Sequence, residues 1–150
     1  MQRLIILNKK QIKEISAFLK KQFDAEFDFP VVMKSSKDRI YLINKDISRI
    51  DLTKLRIDTM GLYFAEIKNN ELRLSMEGSQ MIGPHAKKNV LELDDKLARL
   101  WLKGNDIPVK TDMKGFLIIK NNNDFLGCGK FVENRILNFV PKTRRILAND

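Results

Sequence analysis

Three runs near the end of the chain decide its fold: Gly115-Phe-Leu-Ile-Ile-Lys120, Asp124-Phe-Leu-Gly-Cys-Gly-Lys130 and Asn138-Phe-Val-Pro-Lys-Thr-Arg-Arg145. They predict short strands at about 115–120, 124–132 and 135–140. Asn121-Asn122-Asn123 and Glu133-Asn134 are the hairpin turns between them. A Gly-x-Gly-Lys segment kinks the middle strand, as glycine inside a strand does where the ladder bends or another group comes close. The last run ends in a basic tail. The pattern belongs to a small barrel that presents positive charge, not to a site that breaks bonds.

Working outward, Val90 to Leu93 predicts a short strand, and Asp94 or Asp95 caps the helix after it. In that helix Leu97, Leu100 and Trp101 fall on one face and point inward. Lys96, Arg99 and Lys103 form a basic ridge on another. Gly104 ends the helix as a left-handed cap residue. Further back, Leu4 to Leu7 predicts a strand. Asn8 with Gln11 forms a capping box, and Ile12, Ile15, Leu19 and Phe23 make the buried stripe of a helix. Val31 to Lys34 and Ile40 to Ile43 read as strands around the turn Ser35-Ser36-Lys37-Asp38, and Asp46 to Ile50 as a helical turn. Met60 to Lys68 and Glu71 to Met76 pair through Asn69-Asn70, since asparagine tolerates left-handed backbone angles. Glu77 to Pro84 is a turn or short helix, and the polar stretch Pro84 to Lys88 marks a boundary.

Composition bounds the function. The 150 residues are 43% hydrophobic, with nine Phe, enough for a real core. The net charge is +9, from 28 Lys and Arg against 19 Asp and Glu. It is spread along the chain: 14 basic and 9 acidic side chains lie in residues 1–70, and 14 and 10 in residues 71–150. Such an excess favours polyanionic partners. One cysteine, Cys128, excludes an internal disulfide and a cysteine-rich zinc site. One histidine, His85, argues against a histidine-built metal site or a catalytic triad. The apolar run at the N-terminus is too short for a signal peptide or a spanning helix. A cytoplasmic protein with no membrane partner, no metal and no cofactor is expected.

At this point the residues carry a resemblance. Leu93-Asp-Asp-Lys-Leu-Ala-Arg-Leu-Trp-Leu-Lys-Gly104, the strand from Gly115, the strand Phe125-Leu-Gly-Cys-Gly-Lys130 and the ending Asn138-Phe-Val-Pro-Lys142 together resemble a PUA domain, an RNA-binding module. The likeness is greatest to the PUA domains of Sun-type RNA cytosine methyltransferases, and it covers about residues 87–150. The preceding α/β unit is similar to the pre-PUA domains of small RNA-binding proteins. The resemblance therefore implies an α+β protein, with a pre-PUA-like α/β domain at 1–84 and a PUA-like mixed barrel at 85–150. Many PUA domains carry Pro-Gly in the loop after the helix, where this chain reads Asn105-Asp106-Ile107-Pro108.

By analogy with that family, the RNA surface runs along the helix, the loop after it and the last strand. It falls on Arg99, Lys103, Gly104, Asn105, Lys130, Lys142, Arg144 and Arg145. Lys87 and Lys88, at the boundary, join this set or serve only as linker. Lys and Arg neutralise phosphates and release counterions, which gives sequence-tolerant affinity that falls with salt. The same side chains also fit a solvated helix face and a merely charged terminus. Gly127-Cys128-Gly129 lacks the third glycine of a dinucleotide fingerprint, since Val132 stands in its place. Cys128 reads as a core thiol rather than a nucleophile. Trp101 and the Phe residues read mostly as core; Phe139, beside the basic tail, is the one that also fits base stacking.

The resemblance implies a non-catalytic protein that binds structured RNA, tRNA or rRNA, in RNA modification, ribosome biogenesis or translation, with ribosomal or RNA-modification proteins as further partners. Two rival expectations stand beside it. One is a ribosome-associated translation factor of the density-regulated/ligatin type, acting through protein contacts. The other is an RNA-modifying enzyme, which would bind S-adenosylmethionine.

Overall fold

Asn8 opens the first helix as its residue type requires. Its side chain accepts from the Gln11 N–H at 2.9 Å, and the Gln11 side chain accepts from the Asn8 N–H at 2.9 Å, so two of the helix's orphan donors are satisfied reciprocally. The computed structural model describes residues 3–43 and 61–147. Helix α1 (Lys9–Phe23) follows the strand β1 (Leu4–Ile6), and Ile15, Leu19 and Phe23 are its buried stripe. Strands β2 (Val31–Ser35), β3 (Arg39–Ile43), β4 (Leu62–Lys68) and β5 (Glu71–Leu74) complete an antiparallel sheet in the order β1-β2-β3-β4-β5. Asn69 and Asn70 make the β4–β5 turn with positive φ of 53° and 61°. The helical turn expected at Asp46 to Ile50, and Met60 of the following strand, lie outside the described residues.

The sequence pattern predicts a strand from Glu71 to Met76, but β5 stops at Leu74. Ser75 caps a new helix, α2 (Met76–Ile82), its hydroxyl accepting from the Gly78 N–H at 2.9 Å and donating to the Tyr63 carbonyl at 2.6 Å. Helix α2 packs on β4 so closely that a Cβ on Gly78 would meet the Phe64 carbonyl group. A 3-10 turn at Gly83–His85 leads to β6 (Val90–Glu92) and then to α3 (Asp95–Leu102).

The second sheet has the order β6-β8-β9-β10-β7. Strand β6 runs parallel to β8 (Gly115–Asn121), which pairs antiparallel with β9 (Asp124–Val132). Strand β10 (Arg135–Leu137) lies between β9 and the two-residue β7 (Ile107–Pro108). The unbroken apolar run Phe-Leu-Ile-Ile in β8 is explained by burial on both faces. Leu117 and Ile119 pack with Trp101, Ile107 and Ile136. Ile118 points the other way and joins Cys128, Ile82 and the core of the first sheet. The two sheets thus share apolar packing. Lys87 and Lys88 extend that attachment through their backbone, donating to the Phe23 carbonyl at 2.8 and 3.2 Å.

Cys128 is buried in the shared core, and loss of solvation pushes its thiol from 9.0 up to about 12. Folding therefore keeps the proton on a group that the unfolded chain releases near pH 9. The native state then binds more protons, and stability is expected to fall as pH rises from about 9 toward 12. Equilibrium urea unfolding at pH 8 and pH 10 tests this, because Cys128→Ala removes the pH dependence contributed by the thiol. Native protein is likewise expected to resist iodoacetamide until it is unfolded.

Candidate nucleic-acid interface

Trp101 organises the second half. It is fully buried, and its indole N–H donates to the Leu126 carbonyl at 2.9 Å. The β8–β9 register shifts there: Ile119 faces Gly127 and Lys120 faces Phe125, so Leu126 is the extra residue of a bulge. Gly127 takes φ +126°, closed to other residues, and a Cβ on Gly129 would lie 2.7 Å from the Trp101 ring and from the Leu137 carbonyl. The Gly-x-Gly segment is therefore the seat of the indole. This is the kink that the sequence reading expected.

The end of α3 and the basic tail come together. Asp94 caps the helix, accepting from the Leu97 N–H at 2.8 Å. Gly104 ends it with φ +97°, and a Cβ there would sit 2.7 Å from Cδ of Arg145. The Arg145 guanidinium donates to the Val140 carbonyl at 3.1 Å, and the Ile146 N–H donates to the Leu102 carbonyl at 3.0 Å. Asn105, exposed, donates from its side chain to the Leu100 carbonyl. Arg99 of α3 and Lys142 of the tail are exposed, and neither forms an ion pair with a described residue. Lys103, half-exposed, immediately precedes Gly104.

Four other positions named from the sequence are placed differently. Lys130 is turned toward the first sheet, with its ammonium 3.0 Å from the Glu71 carboxylate and 5.4 Å from the Phe116 ring. Lys87 and Lys88 sit at the C-terminal end of α1, where their charges help hold the Asp24 carboxyl below its usual range, after the larger effect of Lys20. Arg144 also reaches back across the molecule, pairing with Glu77 on α2.

Asn138 is a hub that its residue type alone does not announce. Its side-chain amide donates to the Trp101 and Asn105 carbonyls at 2.7 and 2.8 Å and accepts from the Val140 N–H at 2.7 Å. Its own N–H donates to Asp106 at 2.8 Å. This turn ends β10 at Leu137, three residues earlier than expected, and it ties the tail to the helix end. The Asn-x-x-Pro-Lys spacing was the signal that marked it.

Between the two sheets lies an open cleft of about 490 Å³. Arg39, Tyr63 and Arg73 come from the first sheet, and Phe139 and Arg144 from the second half. Arg39 lies over the Tyr63 ring at 5.2 Å, and Arg73 over the Phe139 ring at 4.4 Å. None of the described helices is long and apolar enough to cross a membrane.

The chain is similar to known proteins along most of its length. Residues 88–146 match the family model described as the methyltransferase RsmF PUA domain. A ribosomal RNA small subunit methyltransferase F from Vibrio parahaemolyticus is 29% identical over 148 residues, covering 90% of this chain and 29% of that protein. The corresponding protein of Vibrio vulnificus is 27% identical over 139 residues, with 89% and 29% covered. That of Aeromonas salmonicida is 34% identical over 90 residues, with 59% and 19% covered. The chain spans less than a third of the length of these relatives. Helix α3, its Gly104 end, the Gly-x-Gly strand and the Asn138 turn all fall inside the matched segment, and the chain therefore carries, over residues 88–146, a PUA domain similar to those of the Sun-type methyltransferases.

Proposed function

We propose that this chain is a non-catalytic RNA-binding unit that serves the modification of structured ribosomal RNA. The observation that carries this reading is the junction of the α3 end with the C-terminal tail. Arg145 is anchored there against Gly104, and the two segments that meet carry Arg99 and Lys103 on one side and Lys142 on the other. Cations held on a rigid surface neutralise phosphates at a lower entropic cost than cations on a free tail. The similarity to small-subunit rRNA methyltransferases favours rRNA over tRNA as the ligand. It also favours RNA modification over a ribosome-docking factor. The buried Cys128 thiol, held protonated, supports the non-catalytic assignment.

The test is filter binding of a small-subunit rRNA fragment between 50 and 200 mM salt. Each lost phosphate contact lowers the slope of log affinity against log salt by about 0.9. Arg99→Glu with Lys142→Glu is expected to flatten the slope by about 2 and to weaken binding to all RNA sequences alike. An unchanged slope in the folded double variant overturns the assignment of this surface. Methyl transfer from S-adenosylmethionine to that RNA by the chain alone would overturn the non-catalytic reading.

A further inference from the structure

We infer that the cleft between the two sheets is a binding site for a single unpaired nucleotide of RNA. The inference deepens the RNA-binding reading: the cleft borders the tail at Pro141, Thr143 and Arg144, but Arg99, Lys103 and Lys142 do not line it. Arg39 over Tyr63 and Arg73 over Phe139 present two guanidinium–aromatic platforms to one cavity. Splayed-out bases stack on both aromatic rings and guanidinium planes. Phe139 is 37% exposed, uncommon for a phenylalanine whose neighbours Ile136 and Val140 are buried. Its ring contacts Phe116 at 6.1 Å as well as Arg73, so it is held in place while part of it faces the cleft.

The electrostatics suit a phosphate at the same place. Among the described residues, the cleft is lined by three arginines, Arg39, Arg73 and Arg144, against one carboxylate, Glu77. Arg73 is oriented from behind by Glu66 at 2.7 Å, and Arg144 pairs with Glu77. Arg39 is exposed, and it makes no ion pair with a described residue. A guanidinium of this kind grips phosphate with two bonds. A volume of about 490 Å³ lies within the usual range for small-molecule sites, roughly 300–1,000 Å³. A cavity of this size is on the scale of one extruded nucleotide rather than of a duplex.

The experiment is an NMR titration of the full chain with adenosine or uridine 5′-monophosphate. Backbone amide and arginine Nε shifts are expected at Arg39, Tyr63, Arg73 and Phe139, but not at Arg99. Loss of one aromatic stacking partner is expected to weaken the mononucleotide about tenfold in Phe139→Ala, while Phe139→Trp retains it. Arg39→Gln, at an exposed side chain, is a second variant that leaves no hole and is expected to weaken binding severalfold.

Two RNA hairpins that differ only in one unpaired nucleotide extend the test. Wild type is expected to prefer the hairpin with the unpaired nucleotide by about tenfold. Phe139→Ala loses that preference and keeps its affinity for the fully paired hairpin. Arg99→Glu with Lys142→Glu weakens both hairpins and keeps the preference. Mononucleotide shifts in the cleft without binding of either hairpin would sink the RNA reading and leave the cleft as a nucleotide site. Absence of cleft shifts, or wild-type binding by folded Phe139→Ala and Arg39→Gln, overturns the inference.

Discussion

Trp101→Ala is expected to lower stability by about 3–5 kcal/mol, a third or more of the total for a typical domain. The indole is fully buried and fills the space between α3, β8 and the bulge of β9. Truncation opens a cavity that cannot collapse, because Ile107, Leu117, Ile119 and Ile136 around it are themselves fixed in strands. It also strips the half-buried Leu126 carbonyl of its donor, and a carbonyl left unpaired costs up to about 1–3 kcal/mol where water cannot replace the donor. Trp101→Phe separates the two effects, since it keeps most of the ring and removes only the N–H and the second ring. Urea unfolding with an unchanged m-value reads the difference, and Tm is expected to drop by on the order of 10 °C for the alanine variant. A loss under 1 kcal/mol would show that the second core does not rest on this residue.

The local signals in the sequence were read well because they act at short range. The Asn8–Gln11 box, the paired asparagines at Asn69 and Asn70 and the Gly104 helix end each satisfy a backbone requirement set by residues within four positions. The Gly-x-Gly kink was legible for another reason: glycine itself marks a close approach, although the indole that requires it lies on α3, far back in the chain. What escaped was set by partners far along the chain. Ser75 reads equally well as the end of a strand or as a cap. The choice is made by the Tyr63 and Phe64 carbonyls of β4, which receive its hydroxyl and its N–H. Strand β7 is only two residues long and exists because Asn138 and Asp106 bring β10 alongside it. Among the candidate contacts, a cation in a sequence does not display its counter-ion. Lys130 and Arg144 looked like phosphate ligands, and each faces a carboxylate some 60 residues away. The cleft was illegible for the same reason: Arg39, Arg73 and Phe139 share no spacing, and only the packing of two sheets makes them neighbours.

Asn138→Asp tests whether the tail belongs to the α3 end or merely lies near it. The substitution preserves shape and the acceptor for the Val140 N–H, so nothing is lost by volume. It replaces a donor that served two carbonyls, those of Trp101 and Asn105, with a carboxylate oxygen that repels both. Asp106 is adjacent, already accepting from the N–H of the same residue, and adds a like charge. Two lost hydrogen bonds at about 0.5–1.5 kcal/mol each, plus the repulsion, give an expected loss of about 2–4 kcal/mol at pH 7. The sign of its pH dependence is diagnostic. A carboxyl facing carbonyls binds its proton more tightly in the folded than in the unfolded chain, so the deficit shrinks as pH falls through the carboxylate range. Thermal melts at pH 7 and pH 5 read this directly. Trypsin reports the consequence for the site, because Lys142, Arg144 and Arg145 are held by the turn that Asn138 builds. Faster cleavage there, together with weaker RNA binding below the melting temperature, is the expected outcome. Unaltered cleavage and affinity in a destabilised variant would mean that the tail reaches its place on the helix without the Asn138 bridge.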